Sequence, residues 1–338
     1  MTETLDIWLP DAECTALAGR ALSKTLYTLP VDVYLSGELG AGKTLFTQSF
    51  AQELGVREPL SSPTYALEQR YKTSDGTHFL HLDLYRLESR QVHEILAASD
   101  DHLGIRCIEW AERIPEKERG VKPHIDLSFV EQDHGRMLHC SFHDMKLPTR
   151  AQIEQWREEV MLPEHIARHC DAVAAFAVRL GEALTQRSNP VRLLALRRAG
   201  EVHDLLRFLD FRPGSGPVDA KETSEQLRLF EDFRKRYLGL RHEPACAQFL
   251  REQGFPELSD IVAVHGLSLE ATIRKTVEQK LIFYADKRVM IDKVVTLDVR
   301  FADFLTRYGS GAEAVQSNMW LEEAKGVEKE LFPEGVPF

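Results

Sequence analysis

The segment "LSGELGAGKT", residues 35–44, constrains the fold of this chain more than any other stretch. It follows the apolar run "VDVYL" and precedes a stretch of helical character, so it predicts a strand, a loop and a helix in succession. Glycines in the pattern G-x-x-x-x-G-K-[ST] let backbone N–H groups turn toward a phosphate; the lysine reaches the β- and γ-phosphates, and the threonine ligates Mg²⁺. The sequence therefore predicts an ATP–Mg²⁺ site. Its predicted contacts are Gly37, Glu38, Leu39, Gly40, Ala41, Gly42, Lys43 and Thr44.

The bulk composition is that of a folded cytoplasmic protein of more than one domain. The chain has 338 residues, of which 43% are hydrophobic and 28% charged. The net charge of −11 argues against direct non-specific binding of nucleic acid. No apolar run is long enough to cross a membrane, so no membrane association is expected. Five cysteines without a C-x-x-C pair indicate reduced thiols and a cytoplasmic location.

The pattern of secondary structure changes near Pro148. Before it, short strand-like runs such as "LDIWL", "VDVYLSG", "IRCIEW" and "MLHCSF" alternate with helical stretches, which predicts an α/β P-loop NTPase sheet. After it, nearly every segment has helical periodicity, which predicts an all-α bundle. We therefore expect two domains, residues 1–147 and 148–338.

Two carboxylates stand at the ends of predicted strands in the first domain. Asp83 lies in "HLDLYRL" and Glu109 in "CIEW". A P-loop ATPase needs a carboxylate near Mg²⁺, and these two are the candidates. The segment "SSPTYAL", which contains Thr64, lies where a nucleotide-sensing switch is expected.

Four motifs in this order, "GELGAGKT", "SSPTYAL", "LDLYRL" and "IEWAERI", resemble the TsaE family across about residues 5–145. Members are P-loop ATPases that support the TsaB–TsaD complex in making threonylcarbamoyladenosine at position 37 of tRNAs. The resemblance implies that Lys43 and Thr44 bind phosphate and Mg²⁺ and that Thr64 belongs to the switch. It further implies that Asp83 assists hydrolysis, that Glu109 is the Mg²⁺-side acid and that Trp110 packs near the nucleotide.

The helical half contains a second set of candidate ligands: His169, His203, Asp204, His242, His265 and Asp286. A single histidine on an apolar helix face is usually a core residue, but six such ligands favour a metal site. The adjacent His203–Asp204 pair lets both side chains reach one centre, with the carboxylate bridging two cations. Imidazoles suit Fe, Mn, Co, Ni or Zn better than Mg²⁺ alone. Two such ions activate water and neutralise phosphate oxygens in phosphoryl displacement.

The order H…HD…H…H…D resembles the HD-domain phosphohydrolase superfamily across about residues 160–310. The resemblance implies a first metal held by His169, His203, Asp204 and Asp286. It implies a second metal held by His242 and His265, with Asp204 shared. Arg207 and Lys287 are then expected to bind substrate phosphate, most plausibly that of a nucleotide.

Taken together, these patterns predict a bifunctional protein, a TsaE-like ATPase joined to a metal-dependent phosphohydrolase. Two alternatives stay open at this point. In the first alternative, the domain with the six candidate ligands is a di-iron oxygenase. In the second, the chain is a nucleotide-controlled scaffold for the TsaB–TsaD complex. A further pair, His143–Asp144 in "FHDM", lacks helical context and is interpreted as incidental.

Overall fold

The computed structural model describes residues 2–61, 66–119, 122–211, 222–267, 273–308 and 312–338. The chain forms two compact units. The first comprises Met1–Lys146 and Leu184–Arg192, and the second comprises Leu147–Ala183 and Leu193–Phe338. The predicted domains, residues 1–147 and 148–338, stay a prediction; the units divide the chain at nearly the same place but group Leu184–Arg192 with the first.

The first unit is built on a mixed seven-stranded sheet with the order β1-β7-β6-β2-β5-β4-β3. Strands β6, β2, β5 and β4 are parallel to one another, whereas β7 pairs antiparallel with β6 and β1, and β3 pairs antiparallel with β4. The strands are β1 (Glu3–Leu9), β2 (Val31–Gly37), β3 (Glu68–Lys72), β4 (His78–Asp83), β5 (Ile105–Glu109), β6 (His124–Gln132) and β7 (Gly135–Phe142). The α/β architecture is therefore confirmed; strand β3, "EQRYK", is polar on both faces and gave no signal in the sequence.

Three helices of the first unit are α1 (Ala12–Leu22), α2 (Lys43–Glu53) and α3 (Ser89–Ala98). Helix α1 begins where Asp11 accepts a hydrogen bond from the backbone N–H of Cys14, as an N-cap residue does. Strand β2 is buried on both faces, so its run of apolar residues reads without alternation. That buried strand delivers the phosphate loop to the carboxyl end of the sheet.

The second unit is helical, as expected, except for one short hairpin. Its helices are α4 (Arg150–Glu159), α5 (Glu164–Thr185), α6 (Leu193–Val202), α7 (Ser224–Arg236), α8 (His242–Glu252), α9 (Pro256–Val262), α10 (Val277–Arg288), α11 (Leu297–Tyr308) and α12 (Ala312–Leu331). The last two residues of α5 are grouped with the first unit. Strands β8 (Val289–Met290) and β9 (Lys293–Val294) pair antiparallel. The expectation that this domain is all-α is therefore corrected by one hairpin among the described residues. Among the described residues, no helix is both long and apolar enough to cross a membrane.

Candidate nucleotide site and metal centre

The phosphate loop lies between the end of β2 and the start of α2. Gly37, Gly40 and Gly42 have φ angles of +140°, +87° and +102°, a region that side chains other than glycine rarely adopt. A Cβ on Gly42 would also overlap the guanidinium of Arg136, whose Nη1 donates to the carbonyl oxygen of Ala41 at 2.7 Å. The glycines of the motif are thus required by the backbone geometry, and Gly37 also by the Phe129 carbonyl oxygen, which lies 2.6 Å from the position that a Cβ would take.

Lys43 is folded back onto the loop that it follows. Its Nζ donates to the carbonyl oxygens of Gly37, at 2.6 Å, and Glu38, at 2.9 Å, and lies 3.9 Å from the centre of the Trp110 ring. Burial lowers the pKa of this amine, although the carboxylates of Glu112 and Glu109 oppose the shift. The ammonium therefore occupies the mouth of the loop, where it can exchange backbone carbonyls for phosphate oxygens.

A short chain of polar side chains fixes the carboxylate of Glu109. Thr44 Oγ1 donates to Glu109 Oε2 at 2.8 Å, and His81 Nε2 lies 2.8 Å from Glu109 Oε1. Glu109 and His81 are almost completely buried, at 1% and 0% exposure. Thr44 and Glu109, both expected beside Mg²⁺, are therefore in direct contact, whereas His81 was not identified from the sequence.

Asp83 lies directly beside Glu109, because β4 and β5 pair in parallel with these two residues in register at their carboxyl ends. Asp83 Oδ1 accepts from the backbone N–H of Tyr85 at 2.8 Å, and the Tyr85 and Trp110 ring centres are 4.6 Å apart. Both carboxylates line a cavity of about 370 Å³. Its lining residues are Leu39, Gly40, Ala41, Gly42, Lys43, Thr44, Leu45, Asp83, Tyr85, Arg86, Glu109 and Trp110.

The structure thus brings together the predicted loop, both carboxylates and Trp110. Oxygen ligands from a hydroxyl and a carboxylate are the kind that Mg²⁺ prefers, and the loop supplies the N–H groups that bind phosphate. Thr64, the predicted switch residue, lies outside the described residues.

Five elements of the second unit bring the six predicted ligands together. His169 lies in α5, His242 begins α8 and Asp286 lies in α10. The pair His203–Asp204 follows the end of α6 at Val202 instead of lying in a continuous helix, and His265 follows α9. The pair therefore stands just beyond the end of a helix.

Two buried imidazole nitrogens face the centre of this cluster without a partner. His203 Nδ1 is 2.9 Å from the carbonyl oxygen of Gly200, and His265 Nδ1 is 2.6 Å from that of Val262. In the neutral form of each ring, these contacts assign the N–H to Nδ1 and leave Nε2 with the lone pair that a metal ion can accept. Neither Nε2 has a hydrogen-bond partner among the described residues, although both rings are at most 1% exposed. Unpaired buried nitrogens of this kind fit a metal ion.

The other two histidines contact the carboxylates directly. His169 Nδ1 is 2.9 Å from the Ile291 carbonyl oxygen, and its Nε2 is 3.0 Å from Asp286 Oδ1. His242 Nε2 lies 3.0 Å from Asp204 Oδ1. A backbone carbonyl behind His169 fixes its ring as second-shell partners fix metal-binding histidines.

Asp204 is the central carboxylate. Its oxygens lie 3.0 Å from His242 Nε2, 3.5 Å from His265 Nε2 and 3.8 Å from His203 Nε2. Burial by itself raises the pKa of Asp204, but His203 and Arg207 hold it well below its usual range. The carboxyl is therefore ionised and in reach of both subsets of histidines.

Arg207 and Lys287 lie against the ligand carboxylates. Arg207 Nε is 3.9 Å from Asp204 Oδ2, and its Nη1 approaches His242 Nε2 to 2.8 Å. Lys287 is buried; its Nζ pairs with Asp286 and donates to the His265 carbonyl oxygen at 3.2 Å. Both cations lie at the cluster, but Lys287 is buried and paired with Asp286, and the expectation that these two residues bind substrate phosphate stays a prediction.

Three residues that contribute to these sites were not identified from the sequence. His81 looked like a core residue of a strand, and Arg136 is 95 residues from the loop that it contacts. Asp210, whose Oδ2 is 2.7 Å from His242 Nδ1, ends the helical run "LLRFLD". The sequence contains a signal for Asp210 alone: it is a charged residue at the end of an apolar run, which is a common position for a functional side chain.

The His143–Asp144 pair is split between two environments. Both Asp144 oxygens accept from Arg192, at 2.7 and 2.8 Å, and both side chains have 0% exposure. His143 instead stacks on His124 with ring centres 4.4 Å apart. The pair does not act as a unit, which agrees with its interpretation as incidental.

Comparison with known proteins concerns the first unit. A profile of the family "Threonylcarbamoyl adenosine biosynthesis protein TsaE" matches residues 9–138. A protein of Nostoc sp. named tRNA threonylcarbamoyladenosine biosynthesis protein TsaE is 41% identical over 33% of this chain and 70% of its own length. A protein of the same name from Haemophilus influenzae is 34% identical over 37% of this chain and 80% of its own length. The crystal structure of Bacillus subtilus YdiB aligns at 24% identity with a TM-score of 0.32, covering 42% of this chain and 88% of that one.

Proposed function

The chain belongs to the TsaE family through its first unit, and from this premise we propose that the unit is a P-loop ATPase that supports formation of threonylcarbamoyladenosine in tRNA. The observation that carries the proposal is the cavity of about 370 Å³ in which the phosphate loop faces Glu109 and Asp83. ATP is the ligand whose charge and length suit a loop of this type.

In this mechanism the chain's own residues bind, neutralise and orient the triphosphate. Lys43 releases the carbonyls of Gly37 and Glu38 and pairs with phosphate oxygens. Thr44 and Glu109 would hold Mg²⁺, which would neutralise charge on the β- and γ-phosphates. Asp83, beside Glu109 on the next strand, orients the attacking water, and Trp110 covers the site once the Lys43 ammonium has moved away.

The test of the ATPase is phosphate release from ATP and Mg²⁺ by the full chain. Lys43→Ala is expected to lower turnover by about 100-fold or more, because the preorganised charge on the transferring phosphate is lost. The matched control is Lys24→Ala, an exposed lysine of the same unit that pairs with Glu53. Equal turnover by Lys43→Ala and the control would overturn the proposal.

The tRNA role is tested separately, in a reconstituted reaction with TsaB, TsaD and substrate tRNA. The wild-type chain is expected to support repeated rounds of threonylcarbamoyladenosine formation, and Lys43→Ala to support none above background. An ATPase-active chain that gives no modified tRNA would remove the tRNA role while leaving the ATPase in place.

For the second unit we propose a metal-dependent phosphohydrolase of the HD-domain type, whose sequence pattern the unit resembles. The specific observation in favour is the buried cluster in which two unpaired imidazole nitrogens face Asp204. In this proposal His169, His203 and Asp286 hold one ion, His242 and His265 hold another, and Asp204 is shared. Ions of Fe, Mn, Co, Ni or Zn suit this donor set.

The bound ions supply an activated water and neutralise phosphate oxygens. The protein residues then do the rest. Arg207, whose side chain is 35% exposed, binds a phosphate of the nucleotide or related ester in this proposal. Lys287 keeps Asp286 ionised and oriented through its ion pair. Asp210 fixes the ring of His242, so that Nε2 of this ligand faces Asp204.

Phosphate release from a panel of nucleotides with Mn²⁺ or Fe²⁺ tests this second proposal. Every protein in this assay carries Lys43→Ala, so that the ATPase site of the first unit contributes no phosphate release. Adding His203→Ala and Asp204→Ala is expected to abolish release, whereas adding His165→Ala is expected to retain it, since His165 is one helical turn from His169 but outside the cluster. Phosphate release that survives loss of His203 and Asp204 would reject the assignment. Turnover that depends on oxygen would indicate the oxygenase alternative instead of the phosphohydrolase. A chain with neither bound metal nor turnover would indicate the scaffold alternative.

A further inference from the structure

A third cluster of ligand-type side chains lies in the first unit, apart from the phosphate loop. His124 is the first residue of β6, Asp126 lies two residues further on the same face, and His143 directly follows β7. Strands β6 and β7 are antiparallel neighbours, and the His143 backbone N–H donates to the His124 carbonyl oxygen at 2.8 Å. The sheet register thus brings together two histidines that are 19 positions apart in the chain.

The distances among these side chains match those of metal ligands. His124 Nε2 is 3.5 Å and His143 Nε2 is 3.6 Å from the same oxygen, Asp126 Oδ2. Ligands placed tetrahedrally about 2.1 Å from a zinc ion are about 3.4 Å from one another. One ligand atom from each of the three residues lies within 4.8 Å of the other two. In the structure the two imidazole rings are stacked with an interplanar angle of 9°, so the His143 ring must rotate for both Nε2 lone pairs to reach a single ion.

The ring of His124 is already oriented for this role. Its Nδ1 is 2.8 Å from the carbonyl oxygen of Lys122, which assigns the N–H to Nδ1 and leaves Nε2 as a lone-pair donor. A backbone carbonyl behind a ligand histidine is the usual second-shell arrangement in metal sites. Among the described residues, no donor other than the two imidazoles approaches the Asp126 carboxylate.

The cluster is also accessible. The side chains of Asp126 and His143 are 34% and 33% exposed, and that of His124 is 12% exposed. An ion bound here keeps positions open to solvent, and two imidazoles with one carboxylate favour a divalent first-row transition metal over Mg²⁺ or Ca²⁺.

We propose that His124, Asp126 and His143 form a binding site for a divalent transition metal ion such as Zn²⁺. The ion links the start of β6 to the residue that follows β7. This site is independent of both the phosphate loop and the cluster of the second unit, so it does not rest on the functions proposed above.

Co²⁺ is the probe, because its visible absorption reports coordination by protein ligands. The experiment uses the full chain without nucleotide and with His203→Ala and Asp204→Ala, so that the other metal centre is removed. This parent is expected to bind about one Co²⁺ per chain with a visible absorption band. Adding His143→Ala is expected to weaken binding by about 10-fold or more.

His139→Ala is the matched control, because His139 lies on β7 and pairs with Asp6 instead. This control is expected to keep both the band and the affinity. Asp126→Asn, which keeps the shape of the side chain, is the second variant and is expected to weaken binding as His143→Ala does. A parent without the band, or a band unchanged by both His143→Ala and Asp126→Asn, would overturn the proposal. Equal loss in His139→Ala would overturn it as well.

Discussion

Glu109 is held from both sides: Thr44 donates to one carboxylate oxygen, and His81 Nε2 lies 2.8 Å from the other. His81 is not one of the residues that line the cavity, so it reaches the site through Glu109. A buried carboxylate with one partner removed rotates or takes up a proton, and in both cases it is a poorer ligand for Mg²⁺.

We therefore predict that His81→Ala lowers ATP hydrolysis by about 10- to 100-fold, the usual effect of removing a second-shell partner. A Mg²⁺ titration of turnover is the measurement, and the Mg²⁺ concentration for half-maximal rate should rise. His81→Gln, whose amide can donate to the same oxygen, should recover part of the rate. The control is His78→Ala, an exposed histidine on the same strand. Wild-type Mg²⁺ dependence in His81→Ala would contradict the positioning role.

The sequence predicted the motif residues of this site but not their supports, for a physical reason. Lys43, Thr44 and the strand-end carboxylates are specified by local chain geometry, which short patterns record. His81 and Arg136 depend on which strands become neighbours, and strand order is a long-range property. A histidine inside "FLHLD" has the same pattern whether it packs inertly or orients a carboxylate.

At the scale of elements, the metal cluster depends on how closely α5 and α6 cross. A Cβ on Gly200 would overlap the backbone of Ala174, so the two helices touch where glycine leaves room. The Gly200 carbonyl also accepts the contact from His203 Nδ1. One glycine therefore sets both the helix crossing and the orientation of a candidate ligand.

Gly200→Ala is predicted to reduce the free energy of unfolding by about 1–3 kcal/mol, the usual cost of overpacking a tight contact. Gly326→Ala is the matched control, because Gly326 is also a helix residue of this unit and a Cβ there meets nothing within 4 Å. That variant should be more stable by about 0.5–1 kcal/mol, since alanine loses less entropy in a helix. Urea denaturation measures both. If Gly200→Ala is as stable as the control, the close contact between α5 and α6 does not require glycine at this position.

The element pattern also shows where sequence periodicity stops being informative. The segment "VRLLALRRAGEVHDLLRFL" has helical periodicity throughout, yet α6 ends at Val202. The apolar spacing continues because Leu205, Leu206 and Phe208 are still buried. The spacing of apolar residues after Val202 therefore reflects their burial and not a continuing helix.

At the scale of the whole molecule, the chain leaves the first unit at Lys146 and rejoins it with Leu184–Arg192. Within that unit, the buried Arg192 pairs with Asp144 through two hydrogen bonds, and Arg192 Nε donates to the Thr25 carbonyl oxygen at 2.9 Å. No sequence pattern predicted this return: the polar run "TQRSNP" after the long helix indicates a turn, but it does not specify which unit the following residues join.

Asp144→Asn is predicted to lower the free energy of unfolding by about 3–5 kcal/mol, since it leaves the Arg192 charge buried without its partner. Thermal and urea denaturation measure the effect. Asp133→Asn, an exposed position in the turn between β6 and β7, should change stability little. Equal stability of the two variants would mean that the Asp144–Arg192 pair contributes nothing to the first unit.

The central claim is that one chain carries a nucleotide site and a separate metal centre. Transition-metal content of the purified full chain, compared with that of the His203→Ala/Asp204→Ala chain, tests this claim most directly. Emission spectroscopy should find about two more ions per wild-type chain, because the six ligands divide into two sets that share Asp204. Equal metal content in the two proteins would contradict the account.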